Sequence, residues 1–202
     1  MRQGTVPDGR RVWHKKGVKA RRSLVPLDGK SLHQLALRYV GRFATTRAKL
    51  RAYLARKVRE RGWDGAAAPD VEAVAEHFAA LGYVDDVNYA MAKSRALTGR
   101  GFGRRRVVQA LHVAGIREED GAAARDYADA EAVSAALRFA ERRKIGPFAV
   151  APVTDPRQRQ KALAAMTRAG HGFGLARAIV GLRPGMPIDH EDLAERFRNN
   201  PA

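Results

Sequence analysis

The chain has 202 residues, a formal net charge of +17 and no cysteine. The lack of cysteine excludes disulfides, thiolate metal sites and cysteine catalysis, and no apolar run approaches the roughly 20 residues that a membrane-spanning helix needs. A cationic excess of this size favours a polyanionic partner such as DNA, RNA or an anionic lipid.

The first predicted segment, residues 1–30, is a disordered basic arm. It holds nine Arg and Lys residues against two Asp residues, and its apolar residues are scattered. That composition is typical of a segment that cannot bury a core. The arm either binds nucleic acid or acts as a solvated tail. Its basic start lacks the apolar segment of a secretory signal, so we expect a soluble cytoplasmic protein that does not bind membranes.

Residues 31–65 are predicted to form a helical hairpin, the first repeat. Ser31 and Gln34 fit a capping box, in which two side chains satisfy free amides at the start of a helix. Apolar residues then recur at helical spacing. A second apolar stripe, which includes Leu50, ends at Gly62.

Residues 66–116 are predicted to form the second repeat. An apolar stripe stops at Gly82, and either Asp85 or Asp86 caps the helix that follows. Tyr89 lies on the inward face of that helix. The glycines of RGFG then end it, and a further amphipathic helix closes the repeat.

Residues 117–185 are predicted to form the third repeat. One helix is expected over residues 129–143, followed by a proline-marked connection. Asp155 and Pro156 are suited to the cap and first turn of the next helix. Residues 186–202 are expected to form a short helix and a tail.

The helical periodicity decides the predicted fold class. No segment alternates convincingly with period two, so no sheet is predicted. The sequence favours an all-α fold of tandem three-helix, helix-turn-helix-like repeats in an elongated, curved array. A third helix is expected before each later helical pair. The letters GFG at 101–103 and 172–174 mark the repeat, and GHG at 170–172 is the alternative counterpart of the first.

The segment RGFGRRRVVQALHVAGI, residues 100–116, raises two alternatives. Gly101 and Gly103 suit a helix–helix turn that Phe102 plugs, which is a packing role. The arginines suggest a binding role, because cations in the first turn oppose the helix dipole and, with free amides there, suit a phosphate or carboxylate. The candidate binding residues are Arg100, Arg104, Arg105 and Arg106, and a merely solvated face is the alternative.

A second run of cations lies on the second helix of the first hairpin, opposite its apolar stripe. The sequence does not separate a binding surface from a solvated face at this place. The candidate residues are Arg47, Lys49, Arg51, Arg56 and Lys57. Four cations of the third repeat could extend the same stripe, namely Arg138, Arg142, Arg143 and Lys144.

Catalysis finds little support in the sequence. The six histidines are scattered without metal-ligand spacing, and neither a P-loop nor a dinucleotide fingerprint is present. Asp85 and Asp86 could hold a metal, but helix capping explains them more simply. We therefore predict a protein that is not an enzyme and that has no cofactor and no metal.

Residues 81–116, LGYVDDVNYAMAKSRALTGRGFGRRRVVQALHVAGI, resemble the signature of the RecX family of recombination regulators. The segments that carry the resemblance are Gly82 to Asp86, Tyr89 with Ala90, Arg100 to Gly103, Arg104 to Arg106, and Gly115 with Ile116. Weaker similarity extends it over residues 31–183. The first repeat departs from the pattern by having FATT in place of a glycine turn, and the third by having His171 and Ala176.

The resemblance implies a cytoplasmic protein of three tandem three-helix repeats. It further implies binding along the groove of filaments of RecA on single-stranded DNA, restraint of RecA, and no catalysis. DNA would be bound without sequence preference, and we expect a monomer. The alternative is a plain nucleic-acid-binding protein whose tandem helix-turn-helix units grip the backbone. A basic adaptor for an unrelated acidic partner is a third, weaker hypothesis.

Overall fold

The computed structural model describes residues 25–198, and these form an all-helical structure. Within that range the only strand-like pairing is an isolated parallel bridge between Leu27 and Trp63. The predicted all-α fold class is confirmed. The helices are α1 Gly29–Val40, α2 Arg47–Arg61, α3 Val71–Ala80, α4 Asp86–Gly99, α5 Arg104–Val113, α6 Ala122–Ala130, α7 Ala132–Arg143, α8 Pro156–Arg168, α9 Phe173–Gly181 and α10 His190–Arg198, with a 3-10 turn at Gly146–Phe148.

The first helix begins at Gly29, two residues before the start that the sequence predicted. Leu27 is fully buried, and Asp28 rather than Ser31 caps α1. The Asp28 carboxylate accepts the Ser31 amide at 2.8 Å, and the Ser31 hydroxyl accepts the Asp28 amide at 2.9 Å. The predicted Ser31–Gln34 capping box is therefore wrong. The capping box is formed by Asp28 and Ser31 instead, directly after the buried Leu27. The rest of the predicted arm, residues 1–24, lies outside the described residues.

Helix α6 was not predicted from the sequence. Its buried residues are Ala124 and Ala128, which are too small to produce a clear apolar stripe. They pack in one cluster with Ala90 of α4, and the Ser94 hydroxyl of α4 donates to the Ala124 carbonyl at 2.7 Å. The single helix expected over residues 129–143 is in fact the end of α6 followed by α7, with a break at Glu131.

Three hydrophobic clusters divide the helices into groups. The first cluster joins α1, α2 and α3, the second joins α4, α5 and α6, and the third joins α7 to α10. We propose these groups as the repeats and call them units 1, 2 and 3. The third helix of units 1 and 2 thus follows the helical pair, whereas the sequence placed it before each later pair.

Successive units meet at corresponding places. The N-terminus of α2 meets the C-terminus of α5, where the Thr46 hydroxyl donates to the Ala114 carbonyl at 2.7 Å. A Cβ on Gly115 would overlap the Ala48 side chain. The N-terminus of α5 meets the C-terminus of α8 at Gly170 in the same way. Gly170 therefore corresponds to Gly115, and the GFG likeness does not define the repeat register.

Candidate functional site

The RGFG turn joins α4 to α5 and packs against unit 3. Gly101 has a φ of 76°, and a Cβ added there would lie 2.9 Å from the backbone nitrogen of Phe139. A Cβ on Gly103 would overlap the carbonyl of Gly170. Phe102 packs on the hydrophobic cluster of unit 3. The two glycines are thus required by the close approach of unit 3 as well as by the turn.

Two backbone amides at the start of α5 donate to the end of α8. The Gly103 amide donates to the Ala169 carbonyl at 3.0 Å, and the Arg105 amide donates to the Gly170 carbonyl at 3.2 Å. These carbonyls lie at the C-terminus of α8, whose partial negative charge also offsets the dipole of α5. These two amides are therefore engaged by the end of α8, and a binding role for this turn rests on its side chains.

The arginine side chains of this turn point outward even though the backbone is engaged. All four are exposed. Arg104 forms an ion pair with Asp129 at 2.7 Å, and Arg106 donates to the side-chain oxygen of Gln109 at 2.7 Å. The Arg100 guanidinium lies 5.5 Å from the centre of the Phe102 ring. The turn therefore combines a packed backbone with accessible cations, which we call the α5 arginine cluster (Arg100, Arg104, Arg105 and Arg106).

Arg47, the first residue of α2, lies in a partly buried ion-pair network. Its backbone amide donates to Asp86 Oδ1 at 3.0 Å and its Nε to Asp86 Oδ2 at 3.2 Å. Its guanidinium also pairs with Glu76 at 3.4 Å and with Asp120. Burial opposes the charged guanidinium, but the hydrogen bond and charge of Asp86, with the two further carboxylates, raise the pKa of Arg47 overall. Arg47 is therefore engaged within the protein by three carboxylates, and we do not expect it to contact an external anion.

The two neighbouring aspartates of the VDD segment have different roles. Asp85 caps α4 by accepting the Asn88 amide at 2.8 Å. The Asp86 side chain is only 2% exposed and accepts hydrogen bonds from the backbone amide and the guanidinium of Arg47. The sequence left open which aspartate caps the helix, and it could not show that the other binds a residue 39 positions away.

The other candidate cations of α2 also have partners. Lys49 contacts the Tyr89 hydroxyl, and its Nζ lies 4.6 Å from the centre of the Tyr89 ring. Arg51 pairs with Glu72 of α3. Two further cations share one carboxylate: Arg56 lies 3.6 Å and Lys57 2.7 Å from Glu60. The helical spacing of these two pairs was visible in the sequence and could have reduced the expected net charge of this run.

His171 is a buried polar residue whose role was not predicted. Its side chain lies between units 2 and 3, where Nε2 donates to the Gly101 carbonyl at 3.1 Å. Its ring also packs near Phe139, with 5.5 Å between ring centres. Burial lowers the pKa of His171 to about 4, against the opposing effect of the Gly101 hydrogen bond. A neutral imidazole therefore joins the two units at neutral pH.

Comparison with curated proteins shows similarity to the regulatory protein RecX of Myxococcus xanthus (strain DK1622), with 32% identity over 162 residues that cover 76% of this chain and 86% of the relative. The fold resembles the crystal structure of RecX from Lactobacillus salivarius, with a TM-score of 0.54 and 16% identity over 75% of this chain and 93% of that one. It also resembles a crystal structure of a regulatory protein RecX, with a TM-score of 0.53 and 19% identity over 75% of this chain and 70% of that one. No family model matches the chain. In the described residues, no helix is both long and apolar enough to cross a membrane.

Proposed function

The chain belongs to the RecX family of regulatory proteins, and from this premise we propose that it binds filaments of RecA on single-stranded DNA and restrains the ATPase and strand-exchange activities of RecA. The observation that carries the proposal is the 32% identity over 162 residues to a regulatory protein RecX. RecA on single-stranded DNA is the partner that membership of this family implies. In this proposal the protein acts by binding and carries no catalytic activity of its own.

We place the α5 arginine cluster in the surface that contacts the filament. Its guanidinium groups are exposed, while the backbone beneath them is held by Gly101, Gly103 and the end of α8. Rigid presentation lowers the conformational entropy that binding removes. Lys49, Arg51, Arg56 and Lys57 are further candidates, and each has a partner within the chain, as Arg104 does in the α5 arginine cluster.

A second candidate function is nonspecific binding to nucleic acid without RecA. The net charge of +17 supports it, since cations that neutralise phosphates bind DNA of any sequence. The two candidate functions predict different effects of RecA on the affinity for single-stranded DNA: RecA raises it in the first and leaves it unchanged in the second.

We expect the protein to bind single-stranded DNA more tightly when RecA and ATP are present. The affinity should rise by at least about 10-fold, equivalent to about 1.4 kcal/mol, because the filament adds a protein surface to the phosphates. Co-sedimentation at fixed salt, with and without RecA, measures this difference, and the RecA ATPase rate should fall in parallel. An affinity that RecA leaves unchanged would favour the nonspecific binder.

The double variant Arg100→Gln/Arg106→Gln is expected to weaken filament binding by about 0.5–1 kcal/mol for each contact at the rim of the interface. Its melting temperature should stay near that of the wild type, because neither side chain has a carboxylate partner within residues 25–198. The matched control is Arg168→Gln/Arg177→Gln, which removes two exposed cations of unit 3. Equal binding by both double variants would show that the cluster is only a solvated turn.

A further inference from the structure

Unit 3 contains a cationic cleft that no sequence motif indicates. It has a volume of about 480 Å³ and lies between the end of α7, the loop after the 3-10 turn, α8 and the end of α9. Its apolar lining includes Ile145, Ala162 and Val180. We propose that this cleft binds single-stranded nucleic acid, with phosphates at its cationic rim and a nucleoside against its apolar lining.

The lining of the cleft is strongly cationic. Five cations line it and no acidic residue does; the five are Arg143, Lys144, Arg159, Lys161 and Arg183. Within residues 25–198, none of these five forms an ion pair. The Nε of Arg159 donates to the Val153 carbonyl at 2.7 Å, which holds one guanidinium at the cleft. Arg47 and Arg104, by contrast, face carboxylates. Like charges collected around a concavity focus a positive potential that attracts an anion.

The backbone of Lys144 supports the same assignment. Lys144 ends α7 with a φ of 55° and a ψ of 48°, and it is the only residue other than glycine with a positive φ among those described. Glycine is usual at this position, because a Cβ is unfavourable in the left-handed conformation. Such a conformation persists where the surrounding structure fixes it, and residues of this kind cluster at functional sites. Here the strained residue adds an ammonium group to the cleft.

The shape of the cleft favours nucleic acid over an acidic polypeptide. Its volume lies in the range of sites that enclose small organic ligands, so it can hold one nucleotide unit of a longer strand. A base or sugar would cover the apolar lining while the flanking phosphates reach the rim. Acidic side chains would bring carboxylates against Ile145 and Val180 and leave that lining unmatched.

This inference rests on the DNA contact in the proposed function but not on RecA, so the test uses a naked strand. Binding of a fluorescein-labelled oligothymidylate is measured by anisotropy over a series of NaCl concentrations. The variant Lys161→Gln/Arg183→Gln should bind about 10-fold more weakly, or about 3-fold for each contact. Its salt slope should fall by about 1.4, since each phosphate contact on a single strand contributes about 0.7. The control Arg168→Gln/Arg177→Gln should keep a higher affinity and a steeper salt slope than the cleft variant, because those residues lie outside the cleft.

The variant Lys144→Gly separates binding from stability. It removes one cation but relieves the backbone, so its melting temperature should rise while its affinity for the oligonucleotide falls. Wild-type affinity in both cleft variants, or an equal loss in the control, would overturn the assignment. A loss of binding to polyglutamate without a loss of binding to the oligonucleotide would also overturn it and assign the cleft to an acidic protein. If RecA has no effect on binding but the cleft variants still fail on the naked strand, the cleft stands and the filament proposal fails.

Discussion

Replacing Arg47 with methionine is expected to lower the free energy of unfolding by about 3–5 kcal/mol. The substitution leaves the Asp86 carboxylate, which is 2% exposed, without the guanidinium that faces it. Only the backbone amide of residue 47 would still donate to it. Asp120 would lose the same partner, whereas Glu76 would keep its ion pair with Arg117 at 2.9 Å. Desolvation of an uncompensated carboxylate is the main physical reason for so large a loss.

Urea denaturation of Arg47→Met and of Arg51→Met measures this effect against a matched control. Arg51 is also an arginine of α2 with a carboxylate partner, but its side chain is 40% exposed and that of Glu72 is 50% exposed. An exposed ion pair is worth less than about 1 kcal/mol, so Arg51→Met should cause a much smaller loss. Losses of similar size in the two variants would contradict the special role of the Arg47 network.

The contrast between Arg47 and its neighbours shows where sequence reasoning ends. In the sequence, Arg47 is one of several cations on a predicted helix, and nothing distinguishes it from its neighbours as a candidate for binding an external anion. Its partners Asp86 and Asp120 lie 39 and 73 positions away. Only the packing of unit 1 on unit 2 brings them together. Local pairs such as Lys57 with Glu60 follow from helical spacing alone.

The quality of the fold prediction follows the size of the buried side chains. Leu50 and Leu54 of α2 are fully buried, and their spacing predicted that helix correctly. Helix α6 buries only alanines, which are common on helical surfaces too, so no apolar stripe identified it. Because α6 belongs to the core of unit 2, its absence from the prediction also explains why the grouping of helices expected from the sequence differs from the proposed units.

The glycine turns explain why the RecX resemblance was visible before the fold was known. Gly103 and Gly170 lie so close together that a Cβ on either would overlap the backbone of the other segment. Such positions accept almost no other residue, so they leave a clear pattern in the sequence. The same pattern does not reveal that the Gly103 and Arg105 amides donate to the end of α8. The motif thus predicted a turn and a helix start correctly, but it carries no information on the packing of α8 against that turn.

His171 is expected to make the stability of the protein depend on pH between about 6.5 and 4. The pKa of its imidazole is lowered from 6.5 to about 4 in the folded protein, chiefly by burial. In this interval the unfolded chain binds a proton that the folded protein does not, so the free energy of unfolding falls as the pH falls. The loss begins near the unfolded pKa and reaches about 3 kcal/mol near the folded one, because each pH unit between the two pKa values contributes about 1.36 kcal/mol.

The variant His171→Gln isolates this contribution. Its side-chain amide can still donate to the Gly101 carbonyl, which His171 contacts at 3.1 Å, but it does not titrate. The free energy of unfolding of both proteins is measured by urea denaturation from pH 7 to pH 4, and the difference between them cancels the titration of the carboxylates that they share. The wild type should lose about 3 kcal/mol more than the variant over this range. Parallel pH profiles would show that the imidazole is protonated equally easily in the folded and unfolded chain, and that the junction between units 2 and 3 does not exclude the charged form.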